Sequence, residues 1–268
     1  MDTLLIIYVF MLGAAFGSFA LVLADRMHTG RDWVKGRSAC DHCGHKLGPA
    51  DLVPLISWTL QNGKCRHCSK RISVFYPLVE LGLALAFVGS YILLPYDISG
   101  LNIARFVLWL LGLVIMTALV VSDLKWYLLP SRLVYPLVGL SSAHVALSYY
   151  TSNQSTLNFG LNMLVSLAIG SGLFWLLYQM SSGKWIGDGD YRLGVAMALF
   201  LGNPFHVWMS LFFASVLGLA VSVPVIVRAK DKLKVKIPFG PFLIMGLLLA
   251  YLFGERIVDW YSSAFLFL

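Results

Sequence analysis

Leu4-Leu-Ile-Ile-Tyr-Val-Phe-Met-Leu-Gly-Ala-Ala-Phe-Gly-Ser-Phe-Ala-Leu-Val-Leu23 carries no charged side chain. Neither does Phe106-Val-Leu-Trp-Leu-Leu-Gly-Leu-Val-Ile-Met-Thr-Ala-Leu-Val-Val121. Apolar stretches approaching or exceeding about 18 residues read as membrane-spanning helices, because a helix needs about 20 residues to cross the hydrocarbon core. The whole chain agrees. Of its 268 residues, 59% are hydrophobic and only 12% charged, with a mean hydropathy of +0.78. A soluble domain carries about 25% charged residues, so a large soluble helical protein is excluded. The first run is expected to be a retained span rather than a signal peptide. Asp2 is the only charge before Asp25, and the basic stretch follows the run from Arg26 onward, as for a retained span with its N-terminus outside.

Working outward, spans are predicted near residues 3–24, 76–95, 103–122, 133–150, 160–180, 190–203, 206–227 and 239–254. The segment between the first two holds Arg26, Arg31, Lys35, Arg37, Lys46, Lys64, Arg66, Lys70 and Arg71. The next same-side segments hold Lys125 and Arg132, then Lys184 and Arg192, then Arg228, Lys230, Lys232, Lys234 and Lys236. That is eighteen of the twenty basic residues; Arg105 and Arg256 fall on the other side. The rich side is cytosolic by the positive-inside rule. The span at 190–203 is short for about 30 Å of hydrocarbon, but the alternation of charge requires it. The net charge of +7 thus reports sidedness, and the expected partner is the lipid bilayer, with no nucleic acid. Residues 228–236 are expected to meet lipid head groups.

All four cysteines lie in one cytosolic insertion, as Cys40-Asp-His-Cys43 and Cys65-Arg-His-Cys68. Two CxxC pairs at this separation match a zinc ribbon, in which four thiolates complete a tetrahedral structural Zn²⁺ site with no open position. Two disulfides are the alternative, and a reducing cytosol argues against them. Gly44 and Gly63 flank the pairs where tight turns are needed. His42, His45 and His67 are left over as solvated loop residues. The fold class is therefore an all-α polytopic membrane protein with about eight transmembrane helices and a small cytosolic zinc-ribbon-like insertion. Its parts are a first transmembrane helix (1–24), the four-Cys insertion (25–75) and a transmembrane helical domain (76–268).

Only four of the thirteen acidic residues are tied to helices at the cytosolic boundary: Glu80, Asp123, Asp188 and Asp190. Asp123 ends the third span, where a negative charge opposes the helix dipole unless Lys125 offsets it. Asp188 and Asp190 stand in Ile186-Gly-Asp-Gly-Asp190 before an apolar run, where acids also serve as N-terminal caps. Glu80 follows Pro77 and reads as a cap more strongly still. Two carboxylates converging from different helices can share a proton, one acting as base on water and the other polarising a carbonyl. The spacing alone does not bring any two of them together.

These residues, taken in order, resemble the bacterial type IV prepilin peptidases, which are GxGD aspartic proteases. The resemblance runs from Gly17-Ser18-Phe19 through the first CxxC, Asp51-Leu-Val-Pro-Leu-Ile-Ser57, Gly63-Lys-Cys65, Cys68, Ile72-Ser73 and Tyr76-Pro-Leu-Val-Glu80. It continues through Asp123 with Leu128-Leu129-Pro130, and Gly187-Asp-Gly-Asp190, to Pro238-Phe-Gly-Pro241. It implies a membrane-embedded endopeptidase with catalytic Asp123 and Asp190, Asp188 being the alternative to the latter. Such an enzyme removes the basic leader of type IV prepilins or pseudopilins, in pilus assembly or protein secretion, at the cytosolic face of the inner membrane. Many members carrying the four cysteines also N-methylate the new terminus with S-adenosylmethionine. The chain departs from the family pattern at Ala20-Leu21 (usually Leu-Asn), Asp41 (usually Pro) and Ser131 (usually Asp). The first two departures bear on methyl transfer. A presenilin-like protease would need a Tyr-Asp pair inside a span and a Pro-Ala-Leu segment, and a palmitoyl transferase would need Asp-His-His-Cys; neither pattern is present. A transporter would place polar residues near the midplane, whereas the charges here cluster at the boundary. A non-catalytic membrane scaffold or receptor with a zinc module is the alternative from another class.

Overall fold

The computed structural model describes residues 3–32, 36–94, 96–152, 154–229 and 236–265. Helix α1 (Thr3–Thr29) leads into an insertion containing a 3-10 turn (Pro49–Asp51) and a short α2 (Ile56–Leu60). Then follow α3 (Phe75–Leu93), α4 (Leu101–Trp126), α5 (Ser131–Thr151) and α6 (Thr156–Leu167). A π-helical segment (Ala168–Gly172) joins α6 to α7 (Leu173–Ser181), before α8 (Asp188–Leu201), α9 (Pro204–Arg228) and α10 (Gly240–Phe265). Among the described residues no strand forms beyond two isolated bridges, Ala39 with Lys46 and Lys64 with Arg71.

Among the described residues six helical stretches are long and apolar enough to cross a membrane: α1, α3, α4, the continuous Thr156–Ser181, α9 and α10. The protein is thus an all-α polytopic membrane protein. The other two expected spans form as helices of a different kind. Helix α5 is 21 residues long but is interrupted by Ser141, Ser142, His144 and Ser148. Helix α8 has only 14 residues, about 21 Å of rise, and is capped by Gly202 at φ 63°. Residues 230–235 of the basic segment, and Lys35, lie outside the described residues.

The chain divides into two compact units. The first comprises Met1–Ile92 with Leu113–Val121, and the second Leu93–Gly112 with Ser122–Leu268.

In the first unit α1 and α3 approach at backbone distance. A Cβ on Gly13 would lie 2.7 Å from Ala84 Cα, and one on Gly17 2.7 Å from Glu80 Cα. Glycines four apart, one above the other on a helix face, are the small-xxx-small arrangement that lets membrane helices pack closely. Glu80, expected as a cap, is not one. Helix α3 begins at Phe75, so Glu80 sits in its second turn, buried. Its Oε2 accepts the Leu55 N–H at 2.8 Å, and the Ser18 side chain lies beside it. Leu55 adopts φ 62°, a conformation costly for a leucine. The carboxylate therefore pins a strained loop residue of the insertion to α1 and α3. Glu80→Ala leaves that N–H without its acceptor, which costs about 1–3 kcal/mol. The expected result is a lower melting temperature and earlier proteolysis between residues 50 and 60. Unchanged cleavage there would show that the anchor holds nothing.

The second unit is built around α8. Its buried face, which includes Leu193, Gly194, Met197 and Phe200, packs against α5, α6, α7, α9, α10 and the π segment. Gly194 meets the Gly170 carbonyl so closely that no Cβ could be placed there. Trp109 stacks on Tyr251 at 3.7 Å and meets Phe200 edge-on at 5.3 Å, closing the far end of this core.

Candidate active site and four-cysteine cluster

The second unit holds both aspartates singled out in the sequence. Helix α4 ends one turn after Asp123, where Tyr127 turns left-handed (φ 55°) and its N–H bonds the Asp123 carbonyl at 2.9 Å. The Asp123 side chain is turned inward and only 6% exposed. Its Oδ2 accepts the Gly240 N–H at 3.0 Å. Gly240 opens α10, and a Cβ there would stand 2.7 Å from that same oxygen. Only glycine lets the amide come this close. Such a donor at a helix N-terminus favours negative charge on the acceptor.

Asp190 is the third residue of α8 and half-buried. Its Oδ2 accepts the Gly187 N–H at 3.1 Å, so the capping expected of this position is real. Each aspartate thus commits one oxygen to a glycine amide. The charge of Asp123 bears on Asp190, which stands on a different helix of the same unit.

Asp188 is engaged elsewhere. Its Oδ2 pairs with Arg192 Nη2 at 2.8 Å, one turn along α8. Arg192 Nη1 also donates to Ser131 Oγ at 2.7 Å. This ties the start of α8 to the start of α5 through the position where the family pattern has Asp.

Leu129 lies between the two aspartate segments. A Cβ on Gly189 would fall 2.5 Å from Leu129 Cβ, and one on Gly240 would fall 3.2 Å from Leu129 Cδ2. One leucine therefore packs against the glycine beside each aspartate. Gly189→Ala is expected to push α8 off Leu129 and to lower activity at least about 10²-fold, since ångström misplacements cost that much. Leu129→Gly in the same chain, which removes the Cβ that the new alanine meets, should restore part of the loss, a coupling that a double-mutant cycle measures. Strictly additive losses would remove Leu129 from this role.

The four cysteines form a separate cluster in the first unit. Their Sγ atoms all lie within 4.8 Å of one another, with Cys40 and Cys68 at 3.9 Å. A zinc tetrathiolate with bonds of about 2.3 Å has sulfur–sulfur edges of about 3.8 Å, so the donor set could hold such an ion. The two knuckles are built alike. Cys40 N–H bonds the His45 carbonyl and Gly44 N–H the Cys40 carbonyl, each at 2.9 Å. Cys65 N–H bonds the Lys70 carbonyl and Ser69 N–H the Cys65 carbonyl, again at 2.9 Å. The left-handed residue is Gly44 (φ 67°) in the first knuckle and Ser69 (φ 55°) in the second. Gly63 is also left-handed at φ 64°, and lies against Trp58. The Cys43 and His42 N–H groups draw the Cys40 thiol down to about 7. Cys43 rises to about 11, because desolvation and the neighbouring Cys40 and Cys68 sulfurs outweigh the His45 N–H, which lowers it. The His45 and His67 rings face each other at 3.5 Å, outside the thiol set.

Sequence reasoning named both aspartates, all four cysteines and Glu80. It did not find the parts played by Gly240, Gly187, Leu129 and Ser69. Gly187 and Gly240 were visible in their motifs, but a backbone N–H donor leaves no signature of its own.

The chain matches the bacterial peptidase A24 N-terminal domain over residues 11–94. It matches the type IV leader peptidase family over residues 110–223. A prepilin leader peptidase/N-methyltransferase of Aeromonas hydrophila is 30% identical over 234 residues, covering 86% of this chain and 76% of the relative. The protein of that name from Bacillus subtilis is 28% identical over 253 residues, covering 94% and 96%. One from Burkholderia pseudomallei is 33% identical over 227 residues, covering 81% and 67%. No solved structure matches. With both domains matched in order and relatives aligned over most of their length, the chain belongs to the type IV leader peptidase family.

Proposed function

We propose that Asp123 and Asp190 are the catalytic pair of a prepilin leader peptidase. The observation that carries this reading is the pairing itself. Two carboxylates from different helices lie within electrostatic reach, each held through one oxygen by a glycine amide. One ionised aspartate takes a proton from water, and the other, protonated, donates a hydrogen bond to the scissile carbonyl. The resulting hydroxide adds to the carbonyl carbon. The tetrahedral intermediate then expels the amine, which takes a proton from the acid that the first step created. The leader leaves as a carboxylic acid whose proton passes to the pilin's new amine, giving a carboxylate and an ammonium. Neither step requires a metal ligand.

The enzyme is an aspartic-type prepilin peptidase of a multi-pass membrane protein family, and its substrates are type IV prepilins or pseudopilins. The basic distribution supports an inner-membrane orientation with the cysteine insertion and both aspartates on the cytosolic side, where leaders reside before export. Cys40, Cys43, Cys65 and Cys68 hold a structural Zn²⁺ that supplies folding energy to a loop-rich insertion with little core. S-adenosylmethionine is a cofactor only where the methyl transfer named for the relatives is retained. The departures at Ala20-Leu21 and Asp41 fall in the N-terminal part on which that activity is read. Co-expression with the prepilins of its own genome, followed by intact mass, tests the function. The expected product lacks its leader, and a mass increment of one methyl group reports the second activity. Prepilins that all remain uncut beside membrane-inserted protein would favour the scaffold reading.

A further inference from the structure

Arg105 precedes Asp123 on α4 by about five turns, roughly 27 Å, so it lies at the opposite end of the second unit. There a cavity of about 240 Å³ is lined by Tyr96, Arg105, His144, His206, Tyr251 and Glu255, among others. His144 is 2% exposed. Its Nε2 bonds Tyr251 Oη at 3.0 Å, and Tyr251 Oη bonds Tyr96 Oη at 3.0 Å. Arg105 stands 4.2 Å over the Tyr96 ring, and its Nη1 donates to Asn102 Oδ1 at 3.1 Å and Thr151 Oγ1 at 3.0 Å. Arg105 Nε and His144 Nδ1 are buried with no hydrogen-bond partner among the described residues. This is a fixed, polar, incompletely satisfied surface, where buried polar groups are ordinarily paired.

The charges identify what fits. Among the described residues Arg105 reaches no carboxylate at ion-pair distance, and Glu255 reaches no cation. Yet the two interact electrostatically while lining the same cavity. A cation and an anion held apart across a polar space are matched by a solute with the opposite arrangement. Its carboxylate would accept from Arg105 and His144, and its ammonium would donate to Glu255. The volume equals that of about eight waters and falls below the 300 Å³ or so at which drug-sized ligands begin, which limits the solute to a small one. A metal ion is disfavoured, because the cysteine cluster is the one group of His, Cys, Asp or Glu ligand atoms close enough to hold one among the described residues. We propose that this cavity is a binding site for a small zwitterion of the amino-acid type, separate from the peptidase site.

The test is thermal melting of the full-length protein in lipid nanodiscs with glycine, L-alanine or L-serine. Acetate serves as the anion alone and methylammonium as the cation alone. At least one amino acid should raise the melting temperature, and neither single-charge ion should do so at equal concentration. Glu255 is exposed, so Glu255→Gln is a mild change. It should weaken the amino-acid response at least tenfold and let acetate bind in its place. Arg105→Gln should abolish both responses. Leader removal, some 27 Å away along α4, should be unaffected by Glu255→Gln. A wild type indifferent to all three amino acids would overturn the proposal, as would acetate matching them in the wild type or an undiminished amino-acid response in Glu255→Gln.

Discussion

Asp123→Asn and Asp190→Asn will each lower leader removal by at least about 10³-fold, within the range a positioned acid or base contributes. Both variants should stay folded and membrane-inserted. Asparagine keeps the shape of aspartate, and its carbonyl oxygen can still accept the Gly240 or Gly187 N–H that now holds the carboxylate. What it loses is the ability to take or hold a proton. One carboxylate must take a proton while the other holds one, so either single loss disables both steps. The double variant should therefore be little worse than either single one. Asp188→Asn is the internal control. It breaks only the ion pair with Arg192, half exposed at the start of α8, and should change the rate severalfold at most. The measurement is the initial rate of leader cleavage on a purified prepilin, normalised to folded enzyme. Full activity in Asp190→Asn together with loss in Asp188→Asn would move the second catalytic position by two residues.

Removal of the metal will unfold the cysteine insertion while the helices remain in the membrane. The purified protein should contain one zinc per chain, by elemental analysis. Cys65→Ser should weaken zinc retention at least about 100-fold, more than the loss of an outer-shell partner does. Cys65 is the most buried of the four thiols. Without zinc, residues 36–74 become the first site of proteolysis, because two five-residue knuckles and one short helix have almost no apolar core to replace a tetrathiolate. Intact mass separates this outcome from its rival. Two disulfides would lower the mass by four hydrogens and leave no metal to remove.

The sequence carried the helices and the four-cysteine cluster because both are local. Apolar runs of bilayer length and CxxC pairs are each decided within a few dozen residues. Asp123 and Asp190 could be nominated, but their meeting could not be read, since it depends on how α4 and α8 sit within one unit. Glu80 was misjudged for a definite reason. Pro77 suggested a helix start, whereas α3 begins two residues earlier, at Phe75. That turns Glu80 inward toward Leu55. Ser69 escaped notice because glycine is the usual sign of a left-handed residue, and Gly63 drew attention to the other flank of the same knuckle. Helix α5 was expected as a span among the apolar stretches and α8 on charge alternation, and both form with nearly the expected bounds. The short length of α8 reflects a setting in which other helices, rather than lipid tails, are the main neighbours.

The enclosure of α8 has a consequence for the membranes in which the enzyme can work. A helix that faces lipid tilts or shifts when the bilayer thickens or thins. The helix bearing Asp190 is seated on the Gly170 carbonyl and wedged by Leu129, so protein contacts set its depth. Hydrophobic mismatch is then expected to fall on α9 of the same unit, which is longer and more exposed, and to leave the seat of Asp190 unchanged as acyl-chain length and growth temperature change.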